Sequence, residues 1–301
     1  MIKCRNSRVL KKITARSKEI LIDDNSKVVF ISDVHRGDGG NTDSLRMNKN
    51  IYKAALEFYY NKNYILTELG DGDELWKNKN LKDIAYNYKD IFEILNKFND
   101  NNKLYMVYGN HDIIKSDSGL INKCLRELKI VSENFGTEII KLYSSINFYE
   151  SVIFKYKDKK IIGFHGHQVD FINCDLWKIS RFLVRYFWRN MENIAGFKEP
   201  TSPSSNYNKG DEIDRILQKL AQKEKKIIIC GHTHNDVFMY PKEGFYFNDG
   251  CCVFPSSVTS IEIENGKISL VKWSMEVNKE KFIYINRSII EGPCRIEEYF
   301  D

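Results

Sequence analysis

The stretch Val28-Val29-Phe30-Ile31-Ser32-Asp33-Val34-His35 places a continuous apolar run directly before an aspartate and a histidine. An unalternating apolar run of this length is typical of a strand that is covered on both faces of a sheet. The same order of apolar run and polar cluster recurs along the chain of 301 residues. The five polar clusters are Asp33-Val34-His35, Gly70-Asp71-Gly72-Asp73-Glu74, Gly109-Asn110-His111-Asp112, His165-Gly166-His167 and Gly231-His232-Thr233-His234.

These repeated units predict an α/β fold. Open α/β sheets bind their ligands just past the carboxyl ends of the strands, so the five clusters are expected to meet at one edge. Helical patterns over residues 45–60, 80–98 and 213–221 separate the strands. Residues 151–164 and 258–271 change to the pattern of hairpins, the second turning on Asn265-Gly266. The length suits one large domain over residues 1–301.

The composition is that expected of an ordinary soluble protein with a mildly basic surface. Hydrophobic residues make up 42% of the chain, charged residues 29%, and the formal net charge is +5. The seven cysteines are odd in number and show no C-x-x-C spacing, which suits a reduced compartment better than a disulfide framework. No apolar run approaches the length of a membrane span, and the basic first residues lack a signal-peptide core. A cytoplasmic protein is expected.

The histidines indicate the chemistry. All six lie in four of the clusters, beside carboxylates, an amide or a second histidine. Imidazole combined with carboxylate and amide oxygens suits borderline divalent cations, whereas an all-oxygen set would indicate calcium or magnesium. The sequence therefore predicts a site for ions of the transition-metal type.

In this order, the five clusters resemble the motifs of the calcineurin-like metallophosphoesterases, and the resemblance spans residues 33–234. It implies a two-sheet αββα sandwich and two divalent cations that serve the hydrolysis of phosphate esters or pyrophosphate bonds. Mn²⁺ is the expected ion, with Fe or Zn²⁺ as alternatives. Asp71 would be shared by both ions. The implied ligands are Asp33, His35, Asp71 and His234 for the first ion, and Asp71, Asn110, His165 and His232 for the second.

The resemblance also implies catalytic roles for two residues. A hydroxide bridging the two ions would attack phosphorus, and His111 would protonate the leaving group or stabilise phosphoryl oxygens. Glu74 would orient His111. His167 is left open between supporting His165 and replacing it as a ligand.

The spacing Gly70-Asp71-x-x-Glu74-x-Trp76 is similar to the second motif of UDP-2,3-diacylglucosamine hydrolases, which cleave a lipid-linked nucleotide. The chain departs from those enzymes at His165-Gly166-His167, where they carry His-Gly-Asp. A nucleotide- or lipid-linked phosphorylated substrate is therefore expected. The alternatives are a nuclease-type phosphodiesterase and a non-catalytic scaffold with a vestigial metal site. The sequence shows no sheet face with interleaved basic and aromatic residues, so a nucleic-acid partner is not expected. It also gives no sign of an obligate protein partner.

An insertion over residues 170–225 is expected to form a helical cap. In it Lys178, Arg181, Arg185 and Arg189 recur at helical spacing among apolar and aromatic residues. Three interpretations stay open. The segment is a buried helix with one solvent-exposed cationic face, or a cap whose Arg181 and Arg185 bind substrate phosphates. The third interpretation is a helix in peripheral contact with a membrane. Arg36 follows a ligand directly, so it either contacts substrate or lies in a plain surface loop.

Overall fold

A computed structural model describes residues 2–117, 119, 127–132, 136–141, 143, 146–170, 173–174, 176–188 and 207–301. The strands in these ranges are β1 (Lys18–Ile22), β2 (Lys27–Ile31), β3 (Ile65–Leu69), β4 (Leu104–Val107), β5 (Glu127–Ser132), β6 (Gly136–Lys141), β7 (Phe148–Tyr149), β8 (Ser151–Tyr156), β9 (Lys159–Phe164), β10 (Ile227–Cys230), β11 (Asp236–Phe238), β12 (Tyr246–Asp249), β13 (Ser257–Glu264), β14 (Lys267–Val277) and β15 (Ile283–Arg295). The helices in the same ranges are α1 (Ile2–Thr14), α2 (Lys49–Asn61), α3 (Leu81–Asn87), α4 (Lys89–Asp100), α5 (Trp177–Leu183) and α6 (Tyr207–Glu224).

Two large sheets form the centre of the fold. One has seven strands in the order β15-β14-β13-β2-β3-β4-β7, and the other has six in the order β1-β8-β9-β10-β12-β11. β2, β3 and β4 run parallel in the first sheet, as do β9, β10 and β12 in the second. The two predicted hairpins are present as β8–β9 and β13–β14. At the second turn, Asn265 and Gly266 both have positive φ, 53° and 66°, as a tight hairpin turn requires.

Three hydrophobic clusters lie on the faces of the two sheets. In β2, Val28 and Phe30 face the space between the sheets, while Val29 and Ile31 face the helices α2, α3 and α4. The outer face of the second sheet is covered by α1 and α6, which contribute buried residues including Leu10. These layers confirm the predicted αββα sandwich, and they explain why the strands read as unbroken apolar runs.

The helices differ in detail from the predicted ranges. The pattern over 80–98 divides into α3 and α4 at Tyr88, whose φ and ψ are −121° and 24°. Tyr88 leaves the helical backbone because its ring is buried and its hydroxyl donates a 2.8 Å hydrogen bond to Asp43, a contact distant in sequence. No helix in the described ranges is both long and apolar enough to cross a membrane.

The segment predicted as a helical cap, residues 170–225, contains α5 and α6 among the described residues. Ile213, Leu217 and Leu220 of α6 are buried against the second sheet, so the insertion from Tyr207 onward belongs to the outer helical layer. The single-domain boundary at 1–301 stays a prediction.

Candidate metal centre

The loops that follow β2, β3, β4, β9 and β10 meet at one end of the two sheets. The residues predicted to bind metal are all buried there: Asp33, His35, Asp71, Asn110, His165, His232 and His234. Their local backbone is unusual, because five of them have positive φ: Asp33 (50°), His35 (51°), Asp71 (51°), His232 (72°) and His234 (59°). Such conformations are costly for residues with a side chain and concentrate at functional sites.

Two glycines permit this close approach. A Cβ atom on Gly109 would lie 2.1 Å from Oδ1 of Asp71, and one on Gly231 would lie 2.4 Å from Oδ2 of Asp33. Both distances are far below van der Waals contact. The glycines of these motifs are therefore required by the packing of the carboxylates against the neighbouring loop.

The first group of donors comprises Asp33, His35 and His234, whose ligand atoms all lie within 4.8 Å of one another. Nε2 of His234 is 3.0 Å from Oδ1 of Asp33, and the Nε2 atoms of His35 and His234 are 3.4 Å apart. Two imidazole nitrogens and a carboxylate oxygen thus point at one small volume.

The second group comprises Asp71, His165 and His232, again within 4.8 Å. Nε2 of His165 lies 3.1 Å from Oδ2 of Asp71 and 3.2 Å from Oδ1 of Asn110. Nδ1 of His165 donates a hydrogen bond to the carbonyl oxygen of Leu69 at 2.9 Å. Nε2 is therefore the nitrogen whose lone pair can bind a metal ion. Oδ2 of Asp71 is also 4.0 Å from Nε2 of His35, so this carboxylate lies between the two groups.

The environment of Asp33 fits a metal ligand. Its Oδ2 accepts hydrogen bonds from Ser32 Oγ at 2.6 Å and from the amide of His232 at 2.7 Å. Its Oδ1 is buried and accepts no hydrogen bond of good geometry, and Nε2 of His234, which lies 3.0 Å from this oxygen, is itself a predicted ligand. Such an arrangement suits a cation shared by the two atoms. Ser32 Oγ also lies 2.6 Å from Oδ1 of Asp249, and burial raises the pKa of Asp249 well above its ordinary value. Ser32 Oγ thus lies between the carboxylates of Asp33 and Asp249.

Charges compensate one another across the centre. Burial alone would lower the pKa of His165 and His234, but Asp71 and Asp33 raise the pKa of His165 to about 9, and Asp33 raises that of His234 to about 10. Burial would raise the pKa of Asp71, but His165 and His111 hold it well below its usual range. The carboxylates are therefore anionic at neutral pH, as cation binding requires.

His111 and Glu74 form the contact that the sequence predicts. Nδ1 of His111 lies 2.9 Å from Oε1 of Glu74, and Oε2 of the same carboxylate lies 3.2 Å from Nδ1 of His35. The His111 ring stacks on Trp76, and its backbone amide donates to Oδ1 of Asp71 at 2.8 Å. A ligand atom of His111 also lies within 4.8 Å of His35 and Asp71, so the ring is at the first group of donors.

His167 is buried beside the second group, with its ring centroid 5.4 Å from that of His165. Its Nδ1 has no hydrogen-bond partner among the described residues. Burial and the neighbouring His165 lower the pKa of His167 well below its ordinary value, so the ring is neutral.

The predicted substrate contact of Arg36 is wrong. The side chain is fully buried, and its guanidinium makes two hydrogen bonds to Glu68, at 2.7 and 2.8 Å, and one to Asp73 at 2.7 Å. Lys115 extends this network, since its Nζ lies 2.9 Å from Asp73 and 2.7 Å from Asp112. A guanidinium so enclosed cannot reach a substrate.

The same network joins three ligand loops. Oδ1 and Oδ2 of Asp112 accept hydrogen bonds from the amides of Gly109 and Gly72, at 2.7 and 3.1 Å. The amide of Arg36 donates to the carbonyl oxygen of Gly72 at 3.0 Å. The buried charges therefore fix the loops after β2, β3 and β4 relative to one another.

The first basic residues of the predicted cap, Lys178 and Arg181, lie on a helix that is exposed to solvent. Ile179 and Phe182 of α5 are 58% and 61% exposed, so the interpretation as a buried helix with one wet cationic face is wrong. Arg185 donates to the main-chain carbonyl oxygens of Trp76 and Leu75, at 2.9 and 2.6 Å, which differs from the predicted phosphate contact. Arg181 is partly exposed and lies over the ring of Trp177, and its contact with substrate stays a prediction. Arg189 lies outside the described residues.

Sequence reasoning missed several residues of the centre. Ser32, Asp249 and the buried Asp170 contact ligands, yet each lies outside the motif positions or far away in the chain. Trp76 was noted only for its spacing. Its position after Asp71 and Glu74 was the one signal that could have indicated its contact with His111.

Comparison with known proteins gives one family. A model of the calcineurin-like phosphoesterases matches residues 26–236. No curated protein matches the sequence. A solved Streptococcus pneumoniae protein described as a predicted phosphoesterase is 13% identical, covers 88% of this chain and 97% of its own, and has a TM-score of 0.35. Vacuolar protein sorting 29 of Chaetomium thermophilum is 9% identical, with 88% and 96% coverage and a TM-score of 0.41. The Cryptosporidium parvum protein of the same name is 13% identical, with 89% and 98% coverage and a TM-score of 0.38.

Proposed function

Because this chain belongs to the calcineurin-like phosphoesterase family, we propose that it hydrolyses phosphate esters or pyrophosphate bonds with two divalent cations. The observation that carries the proposal is the position of Asp71 between two groups of donors, Asp33-His35-His234 and His165-His232. A carboxylate shared in this way is what a pair of cations requires. Imidazole, carboxylate and amide donors suit manganese, iron or zinc.

Two such cations, when bound, supply electrophiles for the phosphoryl oxygens and lower the pKa of a bound water. Asp33, His35, Asp71 and His234 would hold one of them, and Asp71, Asn110, His165 and His232 the other. The buried network of Arg36, Asp73 and Asp112 holds the loops that carry these ligands.

His111 would act on the leaving group. Its Nδ1 faces Glu74, which accepts the hydrogen bond and leaves Nε2 as the nitrogen available to a substrate. Stacking on Trp76 covers one face of the ring and shields it from water. In its imidazolium form, with the Nδ1 proton held by Glu74, His111 would donate its Nε2 proton to the departing oxygen and become neutral.

The surface beside the centre favours an amphiphilic substrate. Arg185, in the π-helical turn Val184–Trp188 that continues α5, donates to the carbonyl oxygen of Trp76, and the Trp76 ring stacks on His111. This turn is therefore joined to the residue beside His111, and the α5 helix before it exposes Ile179 and Phe182. Lys178 and Arg181 on the same helix supply cations for phosphate. A nucleotide- or lipid-linked phosphoryl compound matches this combination, and the same face would allow peripheral contact with a membrane.

The first test is metal content and hydrolysis. We expect about two ions per chain, and hydrolysis by the metal-loaded protein of at least one member of a panel comprising a phosphomonoester, a phosphodiester, a nucleotide-sugar and a lipid-linked nucleotide. Asp71→Asn should lower both metal content and activity, whereas Asp158→Asn, an exposed aspartate in the β8–β9 turn, should change neither. Full activity of Asp71→Asn would exclude the two-cation mechanism.

The second test concerns the substrate class. Arg181→Ala should raise KM for the lipid-linked nucleotide and leave KM for a small phosphodiester unchanged. Equal effects on both substrates, or none, would contradict the amphiphilic substrate while leaving the hydrolase proposal intact.

A further inference from the structure

Asp170 is a buried carboxylate that directly follows the short turn His167–Val169. Its Oδ2 lies 3.3 Å from Nε2 of His232, 2.9 Å from Nζ of Lys209 and 2.7 Å from Nδ2 of Asn173. A carboxylate this deeply buried needs hydrogen-bond donors. One of its donors is His232, a residue of the proposed metal centre.

The contact with His232 determines which ring nitrogen faces the other ligands. A neutral imidazole has one N–H and one lone pair, so a hydrogen bond from Nε2 to a carboxylate leaves the lone pair on Nδ1. In His165 the two nitrogens have the opposite roles: Nδ1 donates a hydrogen bond to the carbonyl oxygen of Leu69, and Nε2 faces Asp71.

We propose that Asp170 is a positioning residue, which accepts a hydrogen bond from Nε2 of His232 and so presents Nδ1 of His232 to the second cation. The inference rests on the proposed function, since it assumes that the centre binds cations. Asp170 is not itself assigned as a ligand. The second donor group contains Asp71, His165 and His232 within 4.8 Å of one another, and among the described residues Asp170 is not part of it.

The contact also connects the centre to α6. Lys209 lies in the first turn of that helix, and one turn further along Asp214 accepts hydrogen bonds from Thr233 Oγ1 at 3.0 Å and from Asn235 Nδ2 at 2.9 Å. Lys209 thus contacts Asp170, while Asp214 holds Thr233 and Asn235 of the loop that carries His232. A helix that sequence reasoning placed in the cap therefore supports the second cation site.

The decisive experiment needs no variant. Long-range ¹H–¹⁵N correlation spectra of the zinc-loaded protein distinguish a histidine bound through Nδ1 from one bound through Nε2, and the chain has only six histidines to assign. We expect His232 to be bound through Nδ1 and protonated at Nε2, and His165 to be bound through Nε2. Binding of His232 through Nε2 would overturn the inference.

Variants supply a second readout. Asp170→Ala should lower affinity for the more weakly held of the two zinc ions by about 10–100-fold, as loss of such a partner typically does, and Asp170→Asn should lower it less. Glu212→Gln, an exposed acid-to-amide change on α6, is the matched control and should have no effect. Unchanged zinc affinity of a folded Asp170→Ala variant would overturn the inference.

The two proposals fail in different ways. If the wild-type protein binds no divalent cation, the proposed function itself is wrong. If it binds two zinc ions and hydrolyses phosphate esters while His232 is bound through Nε2, only the role of Asp170 is wrong.

Discussion

The indole of Trp76 stacks on the imidazole of His111, with ring centroids 4.3 Å apart and an angle of 23° between the planes. The tryptophan is buried, and its own backbone carbonyl accepts a hydrogen bond from Arg185. The ring that we assign to the leaving group is thus fixed on one face by an aromatic partner and at Nδ1 by Glu74.

Removing this stack should slow the reaction. Trp76→Ala is expected to lower kcat by about two- to tenfold, because aromatic pairs contribute roughly 0.5–1.5 kcal/mol beyond the area that they bury. Trp76→Phe, which retains a stacking ring, should lose much less. Steady-state kinetics at matched metal content would measure both variants, and equal losses for Ala and Phe would show that stacking is unimportant.

Replacing His111 should have an effect that depends on the leaving group. His111→Gln is expected to lower kcat by about 10²–10⁴-fold on a substrate with a basic alkoxide leaving group, the range for a lost general acid. The loss should be much smaller with p-nitrophenolate, which departs without a proton. A series of aryl and alkyl esters would measure the dependence. The same loss across the series would assign His111 to stabilisation of phosphoryl oxygens instead.

Metal binding should release protons. The pKa values of about 9 for His165 and about 10 for His234 lie above the ordinary value near 6.5, so both rings are protonated in the metal-free protein at neutral pH. Affinity for Mn²⁺ should therefore rise between pH 7 and 9. Isothermal titration in two buffers of different ionisation enthalpy would detect the released protons. Binding without proton release would contradict these pKa values.

The same shifts predict how the metal-free protein responds to pH. A histidine whose pKa is raised by folding stabilises the fold fully below its unfolded pKa, near 6.5, and this contribution is lost as pH rises through the folded value. The melting temperature in the presence of a chelator should thus fall between pH 7 and 10. The metal-loaded protein should show a smaller decrease over this interval, since its histidines are already deprotonated.

Arg36 should matter for stability and not for substrate affinity. Arg36→Met leaves Glu68 buried without its paired cation and Asp73 paired with Lys115 alone, and breaking a buried ion pair typically costs about 3–5 kcal/mol. Arg181→Met, at a partly exposed position, should change the free energy of unfolding by less than about 0.5 kcal/mol. Urea denaturation of the metal-free proteins would compare them. A stable Arg36→Met variant with a raised KM would restore the role in substrate binding.

Features that depend on neighbouring residues were predictable from sequence. The apolar run of β2 indicated a strand covered on both faces, and Asn265-Gly266 indicated a tight turn, because both signals are local. The fold class follows from five such runs with polar clusters after them, and the family match over residues 26–236 confirms the resemblance.

Features that depend on distant partners were not predictable. Nothing next to Arg36 in the sequence shows that Glu68 and Asp73 enclose it, since those residues arrive from the following strand and loop. The break at Tyr88 likewise depends on Asp43, 45 residues away. The exposure of Phe182 was missed because an apolar helical pattern reads the same whether the helix is buried or faces solvent.

The left-handed backbone at the ligand positions has a consequence for natural and laboratory variation. Glycine adopts positive φ without the penalty that other residues incur, so His35→Gly should relieve backbone strain as it removes a ligand. His35→Ala removes the same ring but keeps the cost of positive φ, so the difference in the free energy of unfolding between the two variants measures the backbone strain at this position. Five donor side chains held at such angles mean that the chain brings these donors together at a conformational cost to the fold.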